Sequence, residues 1–317
     1  MDESRTVVVG VNESASCLAA IRYAAHLAER DEGRLMLVHV VPPVMRTGGL
    51  YVVGPDDVEN TGGDLLGEAA QVAQGLLGPG RVSTRLLHGP TMAGLVRAAD
   101  HARAVVLGTD LRPAMERFAS GSTIMGVSSH CPRPVHVVPP AWTEPAGQPQ
   151  VTVGIRDVAQ AGELLRAAFT TAGEAHARLL VTHASGLPNP DEDPAAPAAH
   201  TDPPSMRLAG LLAAKAEAVH AEHPGVEYDV RVVHGPAIQV LRALSESSDL
   251  LILERREHAW HGAQLGRTAR ALLRASHCPL LIVPPRPGAR HQDRGARSVV
   301  GSHPTSTRAP EGEATDS

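Results

Sequence analysis

The chain has 317 residues, enough for two domains of ordinary size, and its 43% hydrophobic and 20% charged residues are typical of a globular protein. The formal net charge is -5, so the chain lacks the excess of basic residues that is typical of proteins that bind nucleic acid or anionic membranes. Cys17, Cys131 and Cys278 are too scattered for a disulfide framework or a metal cluster. No segment resembles a signal peptide or a membrane span, so we expect a cytoplasmic protein without membrane or nucleic-acid partners.

The first half of the chain alternates apolar runs with helical periodicity. Residues 6–11 predict a buried strand that ends at Asn12, Glu13 and Ser14, which are typical of a helix start. Residues 42–63 are rich in Pro and Gly and predict a loop. The other predicted elements of this half are a helix from residue 16, a strand over 35–41, a helix over 65–76, a strand over 82–87, a helix over 92–99 and strands over 104–107 and 135–138. Single helices between strands indicate a parallel sheet with helices on both faces.

The stretch 104–138 carries the clearest chemical signal. A buried strand stops at Gly108, and the small-residue turn Gly121-Ser122-Thr123 opens a helix after an intervening loop. Glycine lets backbone come close to a ligand, and a helix N-terminus offers free N–H groups to an anion. The stretch therefore predicts an anion site at the ends of the strands.

The second half repeats the first at an offset of roughly 145 residues. Residues 151–155 repeat the pattern of 7–11, residues 179–183 repeat that of 35–39, and His234-Gly235-Pro236 repeats His88-Gly89-Pro90. Such an offset indicates a tandem duplication of a domain-sized unit rather than a short repeat. The predicted organisation is a first domain over 1–140, a linker over 141–149, a second domain over 150–285 and a disordered tail over 286–317; the acidic, Pro-rich segment 186–205 predicts a mobile loop.

Both halves resemble the universal stress protein family. In the first half the resemblance lies in VVVGVNES, in the His88-Gly89-Pro90 turn, in the spacing from Gly108 to Gly121-Ser122 and in the closing SSHCPRPVHVV. The family signature is Gly, two residues, Gly, nine residues, then Gly followed by Ser or Thr; Leu111 replaces its second glycine here. The resemblance implies two tandem doubly wound α/β domains, each with a five-stranded parallel sheet of order 3-2-1-4-5, paired about a pseudo-two-fold axis.

The resemblance also implies a nucleotide site in the first domain, at the point where the strand order reverses. The family places ATP or ADP there, with or without Mg²⁺. By position, the residues that would bind it are Asn12, Val40, Gly108, Gly121, Ser122 and Thr123. Asn12 replaces the family's Asp, and Asp110 and Leu111 bring a charge and a bulky side chain to the phosphate loop.

The second half departs further from the signature. Arg156 takes the Asp position, the run 253–256 replaces the glycine loop, and Gly266-Arg267 replaces Gly-Ser. A glutamate and bulky side chains there would fill or repel a phosphate site, so no ATP is expected in this half. We interpret three arginines of this half as a solvated basic edge, with an anion site as the alternative: Arg255, Arg256 and Arg267.

Other residues favour structural roles. His88 and His234 recur in one turn, and His130 and His277 recur before the last strands, which indicates turn or cap hydrogen bonding rather than metal binding. Cys131 and Cys278 enter buried strands and favour burial over redox sensing.

Three functions stay open. The first is a stress-response regulator with ATP or ADP in its first domain and a protein partner or self-association. The second is a nucleotide-free interaction scaffold. The third is a slow ATPase, for which the sequence offers no identifiable base or metal site. We therefore assign no catalytic and no metal-binding residues.

Overall fold

A computed structural model describes residues 5–42, 55–109, 120–186, 203–258 and 262–285. The first half contains β1 (Thr6–Gly10), α1 (Ser16–Glu29), β2 (Arg34–Val41), α2 (Pro55–Leu77), β3 (Val82–His88), α3 (Thr91–Ala98), β4 (Ala104–Gly108), α4 (Ser120–His130) and β5 (Val135–Val138). The second contains β6 (Gln150–Ile155), α5 (Gly162–Glu174), β7 (Arg178–Ser185), α6 (Pro203–His220), β8 (Tyr228–His234), α7 (Ala237–Leu244), β9 (Leu250–Glu254), β10 (Arg256–His258), β11 (Gly262–Gln264), α8 (Arg267–Ala275) and β12 (Leu280–Val283).

The two halves share one sheet topology. The strand order is β3-β2-β1-β4-β5 in the first half and β8-β7-β6-β9-β12 in the second, with parallel pairing throughout each. The order 3-2-1-4-5 expected from the resemblance is therefore confirmed in both. The central strand β1 is apolar on both faces, and Val7, Val8 and Val9 are fully buried, because helices cover the sheet on both sides.

The halves join through their last strands. β5 pairs with β12 in antiparallel register, with Val137 opposite Leu280 and His136 opposite Leu281, so ten strands form one continuous sheet. Residues up to Pro285 form one compact unit. The division into domains at 141–149 therefore stays a prediction from sequence, and the predicted tail lies outside the described residues.

One face of the sheet carries a core that both halves share. α3 and α4 of the first half and α7 and α8 of the second contribute Leu95, Val127, Leu241 and Leu272 to a single buried cluster. The opposite face has a separate core in each half, formed with α1 and α2 and with α5 and α6. Apolar area buried by the shared core stabilises the two halves as a unit.

Charged side chains also cross between the halves. Arg103 donates to Asp31 Oδ2 of the first half and to Glu174 Oε2 of the second, both at 2.5 Å. Arg255 is buried and its Nη1 donates to the carbonyl oxygen of Cys131 at 2.5 Å. The two halves are therefore held together by polar contacts as well as by their shared core.

The predicted loop over 42–63 is wrong in its second part, because α2 begins at Pro55. Gly62, one of the glycines that indicated a loop, lies within α2 against β2 and β3. A Cβ atom there would come within 3.0 Å of His39 and 3.1 Å of Leu86, so glycine allows the helix to pack closely on the sheet. Most of the predicted mobile loop over 186–205 lies outside the described residues, and α6 begins at Pro203.

No described helix combines the length and apolar character needed to cross a membrane.

Candidate ligand-binding cavities

The strand order of the first half reverses between β1 and β4, and a cavity opens beyond the carboxyl ends of these strands. Its volume is about 240 Å³. Open α/β sheets bind ligands at this kind of switch point, because the connections diverge there and leave a crevice. The lining residues are Gly10, Val11, Asn12, Val38, His39, Val40, Pro42, Thr91, Leu95, Leu107, Gly108, Thr123 and Ile124.

Four of the six predicted site residues lie in this lining: Asn12, Val40, Gly108 and Thr123. Gly121 and Ser122 lie in the first turn of α4, next to Thr123, although their surroundings are outside the described part of the structure. Asp110 and Leu111, which depart from the signature, also fall outside it. Residues far apart in the sequence thus meet at one cavity.

Asn12 has a local structural role in addition to its place in the cavity. Its Oδ1 accepts hydrogen bonds from the backbone N–H of Ser14 at 3.2 Å and from the Ser14 hydroxyl at 2.7 Å. This Asx turn orients the chain between β1 and α1. An Asp could form the same turn. Asn12, which stands where the family has Asp, therefore keeps the backbone conformation and removes a negative charge from the cavity.

Gly108 is required by packing. A Cβ atom at this position would lie 2.6 Å from both the carbonyl oxygen and the Oγ of Ser16, at the start of α1. Backbone at such a distance must shift to admit a side chain. The glycine at the head of the signature therefore has a steric reason of its own, independent of any phosphate.

His39 is a lining residue that the sequence reasoning did not select. Its Nδ1 donates to the carbonyl oxygen of Val11 at 2.9 Å, and in the second half His183 Nδ1 donates to Ile155 at the same distance. Each histidine ties the end of the second strand to the end of the first beside a cavity. The signal was available, because the two histidines end the repeated segments 35–39 and 179–183.

Within the described ranges, no Asp, Glu, Lys or Arg lines the first cavity. Its walls are aliphatic with a few amide, imidazole and hydroxyl groups, which suits a largely uncharged ligand body. The feature suited to an anion is the N-terminus of α4, where the helix dipole is positive.

The second half has a larger cavity at the equivalent point, with a volume of about 480 Å³. The bulky side chains therefore leave open space here, and the expectation that Glu254 repels phosphate stays a prediction. The pairs of lining residues that correspond between the two cavities are Gly10 and Gly154, Asn12 and Arg156, Val38 and Thr182, Val40 and Ala184, Thr91 and Ala237, Leu95 and Leu241, Leu107 and Leu253, Gly108 and Glu254, and Thr123 and Thr268.

The interpretation of a solvated basic edge is wrong for Arg255. It is only 8% exposed, because its side chain turns into the junction between the halves and donates to Cys131. Arg267 is exposed and lines the second cavity. The side-chain surroundings of Arg256 fall outside the described residues. Neighbours in the sequence thus have different roles.

Glu254 lies at the end of β9 in the second cavity and is partly buried. Desolvation raises the pKa of its carboxyl, while the charge of Arg156 acts to lower it. The charges of Arg156 and Glu254 therefore influence each other at the second cavity.

The repeated histidines differ in their contacts. His234 is hydrogen-bonded to Ser185 Oγ at 2.8 Å and to Ser205 Oγ at 3.0 Å, whereas His88 Nε2 lies 3.9 Å from Glu59 Oε1. His130 Nδ1 donates to the carbonyl oxygen of Gly126 at 2.9 Å. The side chains of His88 and His234 therefore differ in their contacts, whereas His130 makes the predicted kind of cap hydrogen bond, in the last turn of α4. Within the described ranges, no three His, Cys, Asp or Glu residues form a metal-binding group.

The predicted burial of Cys131 and Cys278 is confirmed, with exposures of 0% and 5%. Burial raises the pKa of the Cys131 thiol and raises that of Cys278 to about 12. Both thiols are thus protonated at neutral pH, which disfavours the thiolate needed for redox sensing.

The chain is thus a tandem, doubly wound α/β protein with a cavity at the switch point of each half. The model of the universal stress protein family matches residues 3–139 and 149–284, and the chain belongs to that family. A universal stress protein of Mycolicibacterium smegmatis is 25% identical over 291 residues, which cover 88% of this chain and 97% of the relative.

Solved structures share the fold. A universal stress protein from Archaeoglobus fulgidus superposes with a TM-score of 0.66 at 16% identity, covering 89% of this chain and 96% of its own. A putative universal stress protein from Pseudomonas aeruginosa UCBPP-PA14 gives a TM-score of 0.58 at 16% identity, covering 89% and 93%. At this identity the likeness concerns the fold alone.

Proposed function

We propose that the first half binds an adenine nucleotide, ATP or ADP, and that the chain is a stress-response regulator whose nucleotide state is sensed by a protein partner. The observation that supports this proposal is the cavity at the β1/β4 switch point, lined by four of the six residues that the family resemblance selects. Residues distant in the sequence converge there, at the position where α/β sheets bind ligands.

The cavity suits an adenosine group with its phosphates outside. Its 240 Å³ lies below the range of about 300–1,000 Å³ typical of ligand pockets, so it matches a nucleoside better than a whole triphosphate. Val40, Leu95 and Leu107 offer apolar contacts to a base, and Asn12 offers a hydrogen-bonding amide to a ribose hydroxyl. The N-terminus of α4 would then receive the phosphates.

Titration calorimetry with ATP and with ADP, each with and without Mg²⁺, tests this proposal. Thr91→Phe would place an aromatic ring at the cavity wall and is expected to abolish the binding heat. The matched control is Ala237→Phe, which makes the same insertion at the equivalent wall of the other half and should leave nucleotide binding unchanged. Circular dichroism verifies that both variants fold. No heat with wild-type protein, or equal loss in both variants, would reject the proposal.

A second candidate is a nucleotide-free interaction scaffold. The packing of Gly108 against Ser16 favours it, because the signature glycine would persist without a ligand. Mass spectrometry of the supernatant from freshly purified, heat-denatured protein separates the candidates. Adenine nucleotide at half a molecule or more per chain supports the regulator; an empty supernatant together with no calorimetric heat supports the scaffold. Sedimentation at several concentrations then tests self-association.

A further inference from the structure

The second cavity has twice the volume of the first, at 480 Å³ against 240 Å³, and differs in its charge. Arg156, Glu254 and Arg267 are the charged residues of its described lining, whereas the first cavity has none in its described lining. A cavity of this size falls within the range of about 300–1,000 Å³ that small-molecule sites occupy. Its chemistry therefore differs from that of the nucleotide site proposed above.

The mouth of this cavity is suited to an anion. α8 begins with Gly266 as its N-cap, and neither a side-chain cap nor an acidic residue occupies its first turn. The N–H groups in the first turn of a helix have no partner within the helix, and together with the positive end of the helix dipole they attract negative charge. Arg267 in that turn and Arg156 after β6 add two guanidinium groups, which bind carboxylates through paired hydrogen bonds.

The charge of the ligand is limited by Glu254. Two arginines and one glutamate give the described lining a formal charge of +1. Glu254 occupies the position of Gly108, where backbone approaches phosphate in the family signature. A carboxylate there repels the several charges of a di- or triphosphate more than the single charge of a monoanion.

Apart from its charged residues, the lining is aliphatic with two hydroxyl groups, those of Thr182 and of Thr268 in the first turn of α8. Ile155, Leu164, Leu241 and Leu253 supply aliphatic surface. Thr182 is fully buried, and its Oγ1 has no hydrogen-bond partner among the described residues.

The side chain of Thr182 lies on the cavity side of β7. Thr182 and Ala184 are two residues apart on the strand, share a face and both line the cavity, whereas Leu179 and Val181 belong to the core of the opposite face. The first half has Val38 at the equivalent position. An unsatisfied buried hydroxyl costs stability, so a ligand atom that pairs with it would bring specific binding energy.

We infer that the second cavity binds a small organic carboxylate with one negative charge, an aliphatic body and a hydrogen-bonding atom that reaches Thr182. The carboxylate binds at Arg156, Arg267 and the start of α8, and the body lies against Leu241 and Leu253. This site is separate from the proposed nucleotide site in the first half.

The test uses ω-hydroxycarboxylates of six, eight and ten carbons beside the unsubstituted carboxylates of equal length. Calorimetry or ligand-observed NMR on the full chain should show that at least one hydroxylated member binds several-fold more tightly than its plain counterpart. Thr182→Val, which keeps the shape and removes the hydroxyl, should abolish that difference. No binding across the series, or a hydroxyl preference that Thr182→Val leaves intact, would overturn the inference.

Charge variants locate the site. Arg267→Gln is expected to weaken carboxylate binding about tenfold, the loss of a charge-assisted hydrogen bond. Arg270→Gln removes the same charge from an exposed residue of α8 outside the cavity and should have no such effect. Equal losses in the two variants would indicate a general charge effect and reject the site.

Blocking and selectivity complete the test. Ala237→Phe should prevent carboxylate binding, whereas Thr91→Phe should leave it intact. Carboxylate binding that survives in Ala237→Phe and is lost in Thr91→Phe would contradict the inference. This outcome is distinct from a failure of nucleotide binding in the first half. Glu254→Gln should retain carboxylate binding and raise the affinity for ATP in a Thr91→Phe background. If ATP binds the Thr91→Phe variant, in which Glu254 is unchanged, more tightly than any of the carboxylates does, the charge argument is overturned.

Discussion

Arg255 of the second half donates a hydrogen bond to the carbonyl oxygen of Cys131 in the first, across 124 residues of sequence. The guanidinium is 8% exposed, and the backbone N–H of Arg255 also donates to Val283 on β12, the strand that joins the two sheets. The run 253–256, which stands where the family signature has its glycine loop, thus supplies a contact between the halves.

Arg255→Ala should therefore destabilise the whole chain. The change leaves the Cys131 carbonyl without this donor and creates a cavity in a buried position, so we expect a loss of about 2–4 kcal/mol in the free energy of unfolding. Urea denaturation followed by circular dichroism measures it. Arg270→Ala on the exposed face of α8 is the control and should change stability by less than about 0.5 kcal/mol. Similar values for both variants would contradict the importance of this contact.

Gly108→Ala should destabilise the protein in the absence of any nucleotide. The added Cβ would lie 2.6 Å from the Ser16 carbonyl oxygen, and the resulting displacement is expected to cost about 1–3 kcal/mol. Gly67→Ala on an exposed position of α2 meets open space and should be neutral or stabilising by up to about 1 kcal/mol. Thermal unfolding of the two variants decides the matter. A stable Gly108→Ala variant would show that packing does not require this glycine.

Thr182→Val should stabilise the ligand-free protein. Removing a buried hydroxyl that has no partner among the described residues relieves a desolvation cost, and we expect a gain of about 1 kcal/mol. Thr152→Val is the matched change at a buried threonine whose Oγ1 is hydrogen-bonded to Ser248 Oγ at 2.7 Å, so it should lose about 1–2 kcal/mol. Urea unfolding of both variants provides the comparison; a loss of stability in Thr182→Val would indicate a protein partner for its hydroxyl.

Acid should destabilise the junction through His136. Burial lowers the pKa of this imidazole from 6.5 to about 3, and the ring is hydrogen-bonded to the Tyr23 hydroxyl at 2.9 Å. Between these pKa values the unfolded chain binds the proton and the folded chain does not. This contribution to stability is therefore complete above pH 6.5 and falls by about 1.4 kcal/mol per pH unit toward pH 3.

Unfolding measured at successive pH values checks this slope. His136→Asn keeps a hydrogen-bonding group near Tyr23 and removes the titration, so its stability should depend less steeply on pH between 6.5 and about 3. Parallel pH profiles for wild type and His136→Asn would refute the assignment.

The sequence predicted the first half well where periodicity and turns are local. The buried strands, the helix start at Ser16 and the order of elements follow from apolar spacing, and the strand order came from the family resemblance. The beginning of α2 was missed, since Gly62 carries a loop signal when only neighbours in sequence are considered. Its purpose, close approach to His39 and Leu86, depends on contacts made by distant strands.

For the candidate site, sequence by itself determined which residues reach the strand ends, because parallel strands present their carboxyl ends at one edge. The six candidate site residues themselves came from the family resemblance, and four of them line the first cavity. Only the tertiary structure decided that Gly108 packs on Ser16, that Arg255 is buried at the junction, and that the second half keeps an open cavity with Thr182 inside it. These features depend on side chains meeting across elements and across the two halves, and such distances are set by packing rather than by local pattern.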